Sequence, residues 1–158
     1  MARKLRLAFF FLLVPGMIVV ALPVSLGMTL SGIPTYRPLR YAAVLCWAAG
    51  ALIARWCART FFTLGQGTPS PADPPKVLVT TGLYGISRNP LYIGGILIVL
   101  GHWLYFQYWL LGLYLAGLMV LFQTVIVLFE EPRLRQRFGP AYDQYRTHVP
   151  RWLIRIKR

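Results

Sequence analysis

From residue 89 to residue 129 the chain carries no Lys, Arg, Asp or Glu, and this uncharged block limits the fold more than any other feature. One membrane crossing takes about 20 apolar residues, so the block has length for two crossings and little left for a loop. The simplest geometry is a helical hairpin, which returns to the side it left. Arg88-Asn89 at its start and Glu130-Glu131 at its end should then lie at one membrane face, close enough to build a polar site.

The rest of the 158-residue chain fits this reading. It is 57% hydrophobic with a mean hydropathy of +0.56, and its apolar residues come in long blocks rather than at amphipathic spacing. That pattern predicts an all-α integral membrane protein. The net charge of +13 does not imply nucleic acid, because the cations cluster at the ends of apolar runs instead of being interspersed along a polar surface. Cys46 and Cys57 share one apolar run and read as small buried hydrophobes, and His102 and His148 are isolated. No metal is implied.

Four transmembrane helices are expected, at about 7–30, 41–64, 90–105 and 109–129, with the last two a tight hairpin in a single membrane domain. A cytoplasmic connector covers 65–89 and a cytoplasmic tail, amphipathic in part, covers 130–158. The first run follows Arg3, Lys4 and Arg6 but is too long for a signal peptide and lacks a small-x-small cleavage site. Pro15 and Pro23 predict kinks in it, and Ser31 to Thr35 reads as a turn. The connector contains a stiff proline-rich stretch. Asn89-Pro90 is a helix start, with Asn at the N-cap and Pro at the first helical position. Gly94, Gly95 and Gly101 allow another helix or a ligand to approach. Glu130-Glu131-Pro132 is expected to end the fourth helix.

Arg37 and Arg40 are the only cations this arrangement puts on the far side, so both termini and the polar site are expected to be cytoplasmic, in a bacterial inner membrane. Arg55 and Arg59, four residues apart, share a helix face. Either they snorkel to the headgroups or they face the polar site and meet an anion there. A glutamate at a helix C-terminus opposes the macrodipole and calls for a positive partner. For Glu130 and Glu131 the choices are Arg135, Arg88 across the hairpin, or a cationic ligand.

The succession Lys76-Val77-Leu78-Val79-Thr80-Thr81-Gly82-Leu83-Tyr84, Arg88-Asn89-Pro90-Leu91-Tyr92, Glu130-Glu131, Leu134, Phe138-Gly139, Tyr142, Tyr145, Val149-Pro150-Arg151 resembles the isoprenylcysteine carboxyl methyltransferase family, with phospholipid methyltransferases as more distant relatives. The resemblance covers roughly residues 65 to 155. It implies S-adenosylmethionine as methyl donor, with cofactor contacts on Lys76, Val77, Leu78, Val79, Tyr84, Arg88, Asn89, Pro90, Leu91, Tyr92, Glu130 and Glu131. Glu130 would take the cofactor's ammonium or hydroxyl groups and the amides at the Pro90 helix start its carboxylate. Tyr84 and Tyr92 would cover the adenine, unless they form an interfacial belt.

The chain departs from the pattern in two places. Asn89 stands where the family has a histidine, and Ile126 stands where eukaryotic members have the arginine that holds the substrate carboxylate. Arg55, Arg59 or Arg151 are candidates to orient the acceptor instead. The expected activity is methylation of a lipophilic acceptor drawn from the lipid bilayer, either carboxyl O-methylation of an isoprenylcysteine-like substrate or N-methylation of a phospholipid headgroup. A small transporter or scaffold is the alternative from another class. Transport lacks a visible ion path, because His102 is the only such residue in the last two helices.

Overall fold

The computed structural model describes residues 16–30, 36, 38–65 and 76–152, the side chains of Leu30 and Phe62 aside. The start of the first run with Pro15, the turn at 31–35, most of the proline-rich stretch and the last six residues lie outside the described residues. Those described form helices and turns without a strand. Helix α1 covers residues 17–30, α2 is Pro38–Thr63, α3 is Pro90–Phe106 and α4 is Trp109–Val125. Beyond α4 come a π-helical turn, Ile126–Glu130, and two short helices, α5 (Glu131–Phe138) and α6 (Pro140–His148).

Two stretches are long and apolar enough to cross a membrane, Pro38–Phe61 and Trp109–Phe138, while Met17–Thr29 and Pro90–Phe106 are shorter apolar helices. Leu45 and Leu52 on α2, and Val120 and Leu121 on α4, are exposed. Such faces suit a hydrocarbon solvent and would be costly in water.

The closest helix pair is α2 with α3, which pack more intimately than the α3–α4 hairpin. Glycines explain the difference. A Cβ on Gly50 would come within 2.7 Å of the Gly94 carbonyl oxygen and of Ile98, and one on Gly101 within 2.5 Å of the Trp47 ring. Gly95 instead faces Phe122 of α4 and Val19 of α1 at ordinary contact distance. The pairing Gly101 with Trp47 and Gly94 with Gly50 and Ile53 makes the two helices antiparallel, so the C-terminal end of α2 lies beside the N-terminal end of α3. Helix α1 closes the bundle by packing Val19 against Val99, Leu115 and Leu118, and Tyr114 donates a 2.6 Å hydrogen bond to the Ile18 carbonyl.

Pro132 does not end the helix, contrary to expectation; the chain continues helically to Phe138. A proline in a helix lacks the N–H for its i−4 carbonyl and clashes with that carbonyl. Here the turn before it widens, and the Glu131 N–H reaches the Ile126 carbonyl five residues back. The same device precedes Pro23. The Leu22 N–H bonds to the Met17 carbonyl across the π-helical turn Met17–Ala21. Helix continuity past Pro132 places Glu131 inside one long helical run, on ordered backbone rather than at a helix end.

Gly50→Leu should therefore lower the melting temperature of the detergent-solubilised protein by the equivalent of about 1–3 kcal/mol, the usual cost of overpacking. Gly117→Leu, at a position with open space around it, should leave the melting temperature unchanged.

Candidate active site

Two neighbouring carboxylates do different things. Successive helical residues point about 100° apart, so Glu130 and Glu131 reach opposite groups. Glu131 accepts two hydrogen bonds from Arg151, 2.7 Å from Nε to Oε1 and 3.0 Å from Nη2 to Oε2, and a third from Arg88 Nη1 at 3.0 Å. Arg88 and Glu131 are only 10% and 12% exposed at their side chains. The bidentate fork of Arg151 is among the stronger pairings a side chain makes.

This cluster fastens the C-terminal segment across the turn that precedes α3. The Arg88 N–H donates to the Pro150 carbonyl at 2.9 Å, and both Ser87 Oγ and Asn89 Nδ2 donate to the Arg151 carbonyl, at 3.0 and 3.1 Å. Trp152 Nε1 donates to Gln123 Oε1 of α4 at 3.0 Å. Below the segment, Tyr142 and Tyr145 of α6 and Val149 just after it are buried against Leu78, Leu134 and Phe138. Tyr142 OH accepts from Arg88 Nη1 at 3.2 Å, and Tyr145 OH donates to the Tyr84 carbonyl at 2.6 Å. Burial raises the pKa of the Tyr145 phenol, which keeps it a protonated donor at neutral pH.

Glu130 has a different neighbourhood. Its Oε1 accepts a short hydrogen bond from Tyr92 OH, and among the described residues it forms no ion pair. Tyr92 is held in turn by Phe122, whose ring meets it edge-on at 4.7 Å between centroids. Tyr92 stands on the first turns of α3 because Pro90 occupies the first helical position. The result is a half-buried carboxylate, one aromatic hydroxyl and a helix N-terminus at one end of the bundle. Helix N-termini favour anionic groups and carboxylates favour cationic ones, so a zwitterionic or mixed-charge ligand matches both.

A family model described as phospholipid methyltransferase matches residues 39–141. The chain belongs to that family. No curated protein and no solved structure matches the chain. The matched span runs from α2 into α6, so Arg88, Tyr92 and both glutamates of this phospholipid methyltransferase family member lie inside it, while Arg151 lies beyond it. Membership implies a methyltransferase, and the membrane-length helices fit one working at a bilayer. The family shown is the one that the sequence resemblance placed as the more distant relative.

The structure brings together Arg88, Glu131 and Arg151 in one cluster and Tyr92 with Glu130 in another. It leaves Arg55 and Arg59 exposed on α2, and Lys76 and Val77 exposed before α3. Leu78 packs under the tail; Val79, Tyr84 and Leu91 form a core with Cys57, where the Tyr84 ring also meets Phe61. Asn89 sits at the N-cap position without capping α3, because its amide is turned to the buried Arg151 carbonyl. Ile126 is 1% exposed, an apolar part of the core.

Sequence reasoning did not find Ser87, Gln123 and Phe122. None carries a motif of its own, and their partners are 20 or more residues away. One signal was available. With four acidic side chains against 17 basic ones, a buried carboxylate collects more than one cation.

Glu131→Ala should free the C-terminal segment. Tryptic cleavage within α5 and α6 in native detergent micelles should become at least about tenfold faster, the effect of roughly 1.4 kcal/mol on local opening. Arg151→Lys, which keeps the charge and loses the fork, should fall between Glu131→Ala and the parent.

Proposed function

We propose that the chain is an S-adenosylmethionine-dependent methyltransferase whose acceptor is the headgroup amine of a bilayer phospholipid, and that α1 and α3 cross the membrane with α2 and α4. The single observation that carries the reading is Glu130. It is a carboxylate bonded to a neutral hydroxyl, in no ion pair among the described residues and with Arg133 acting on it only at longer range, beside a glutamate that pairs with Arg88 and Arg151. A half-buried carboxylate without a close ion pair favours a cationic ligand. The donor supplies a sulfonium-bound methyl group and carries an ammonium and a carboxylate in its amino-acid part.

In this reading Glu130 holds the donor's ammonium, with Tyr92 fixing the carboxylate's orientation. The free amides of Leu91 and Tyr92 at the start of α3 hold the donor's carboxylate. Methyl transfer is an in-line displacement that needs alignment and exclusion of water more than a covalent intermediate. The tail segment, fastened by Arg151 to Glu131, supplies a wall on the aqueous side.

The amine acceptor is preferred over an isoprenylcysteine carboxylate for two reasons. Arg151, a candidate to hold such a carboxylate, is engaged with Glu131, and Ile126 offers no charge. The family description also names phospholipid.

Purified protein should gain thermal stability from S-adenosylmethionine or its demethylated product, by about 2.7 kcal/mol at ligand near one hundred times Kd. Glu130→Ala should abolish the gain, while Arg135→Ala, remote from the pair, should retain it. A wild-type melting curve unmoved by millimolar ligand contradicts the reading. With radiolabelled donor, label should enter phosphatidylethanolamine vesicles; label entering only a prenylcysteine analogue would move the acceptor assignment to the carboxylate.

A further inference from the structure

Between α1 and α2, on the outer surface of α3, lies a groove of about 350 Å³ lined by Val20, Val24, Ala51, Ile98, His102 and Phe106, with Trp47 and Tyr105 at its far end. Val20 and Ala51 on its two rims are exposed, so it opens sideways between the helices. Its lining is almost wholly apolar. His102 is the exception, and its Nδ1 is spent on the Ile98 carbonyl at 2.7 Å.

What fills the groove is indicated by α2. Ala51, Arg55 and Arg59 follow one another at four-residue spacing, so the groove's α2 rim continues, one and two turns on, into two exposed guanidinium groups. Because α2 and α3 are antiparallel, those turns lie toward the start of α3, where Tyr92 meets Glu130. Cys57, at the same level of α2 but on its α3-facing side, packs in one cluster with Leu91. Among the described residues neither arginine forms an ion pair. An apolar slot that ends in a pair of cations matches a molecule with a hydrocarbon chain and an anionic phosphate at one end.

We propose that this groove seats an acyl chain of the methyl-accepting phospholipid and that Arg55 and Arg59 hold its phosphate, presenting the headgroup amine at the membrane face that carries Glu130. The inference rests on the methyltransferase reading for the identity of the amine, and on the groove and the two cations for the lipid. It gives Arg55 and Arg59 a positioning role that neither snorkelling nor contact with the Glu131 cluster supplies. It also accounts for the alanine at position 51, since a larger side chain on that rim would enter the slot.

The test uses the full chain in detergent micelles doped with phosphatidylethanolamine bearing a diazirine near the end of one acyl chain. Irradiation and peptide mass spectrometry locate the adducts. Adducts should concentrate on Val24, Ala51, Ile98 and Phe106. Ala51→Trp should reduce them about tenfold and Arg55→Gln/Arg59→Gln about fivefold, in keeping with the loss of packing or of two charge-assisted contacts. A diacylglycerol probe with the same chain and no phosphate should be insensitive to the double arginine substitution. Adducts spread evenly over the exposed Leu52, Leu121 and Leu128, or unchanged by Ala51→Trp, would overturn the proposal. Donor binding is followed separately by thermal shift on the same preparations. Absence of donor binding in the parent protein sinks the methyltransferase reading alone, and loss of donor binding in Ala51→Trp sinks the groove assignment by showing a general structural effect.

Discussion

The carboxylate of Glu131, shared between Arg88 and Arg151, is the interaction on which the arrangement of the site depends. It joins three parts of the chain that are far apart in sequence: the turn before α3, the start of α5 and the segment after α6. Removing charged groups from water is costly, and the cluster meets that cost with a bidentate fork and a second guanidinium rather than one contact. Tyr142 adds a hydrogen bond to Arg88 Nη1 and Asn89 one to the Arg151 carbonyl, while Arg88 Nε stays buried without a partner among the described residues. With Arg88 and Arg151 both on Glu131, the adjacent Glu130 has the Tyr92 hydroxyl as its hydrogen-bond partner and Arg133 only at longer range. The site's chemistry follows from that unequal division.

The π-helical turn at Ile126–Glu130 makes the division possible. In a regular helix Pro132 would break the ladder and α4 would stop short of it. Widening by one residue lets the helix continue into α5, fixes both glutamates on ordered backbone, and buries Ile126 in the core instead of offering a polar group there. The matching turn before Pro23 shows that the bundle handles proline the same way twice, once away from the two glutamates and once at the candidate site.

Much of the fold was legible because membrane helices announce themselves by long uncharged runs. The starts at Pro90 and the break near Tyr108 were readable from the proline and from the aromatic turn, and α2 and α3 came within a few residues of expectation. The hairpin logic placed Arg88 near Glu131, and the two do pair, since two antiparallel helices bring the start of one beside the end of the other. What could not be read was which helices pack closest and which side chains the tail meets. Gly50 became significant only beside Gly94, and the bond of Asn89 to a carbonyl 62 residues away has no local signature. Likewise Tyr84 and Tyr92 look alike in sequence, yet one packs in the core with Cys57 and the other meets Glu130.

The central claim is that Glu130 is kept out of any close ion pair so that it can hold the ammonium of the methyl donor. The direct measurement is calorimetric binding of the demethylated donor and of its analogue lacking the amino group, each to the parent protein and to Glu130→Gln. The account predicts that loss of the amino group weakens binding to the parent about tenfold or more and leaves binding to Glu130→Gln unchanged, because the two deletions remove one shared interaction. Independent, additive losses, or equal affinity of the parent for both ligands, would contradict it.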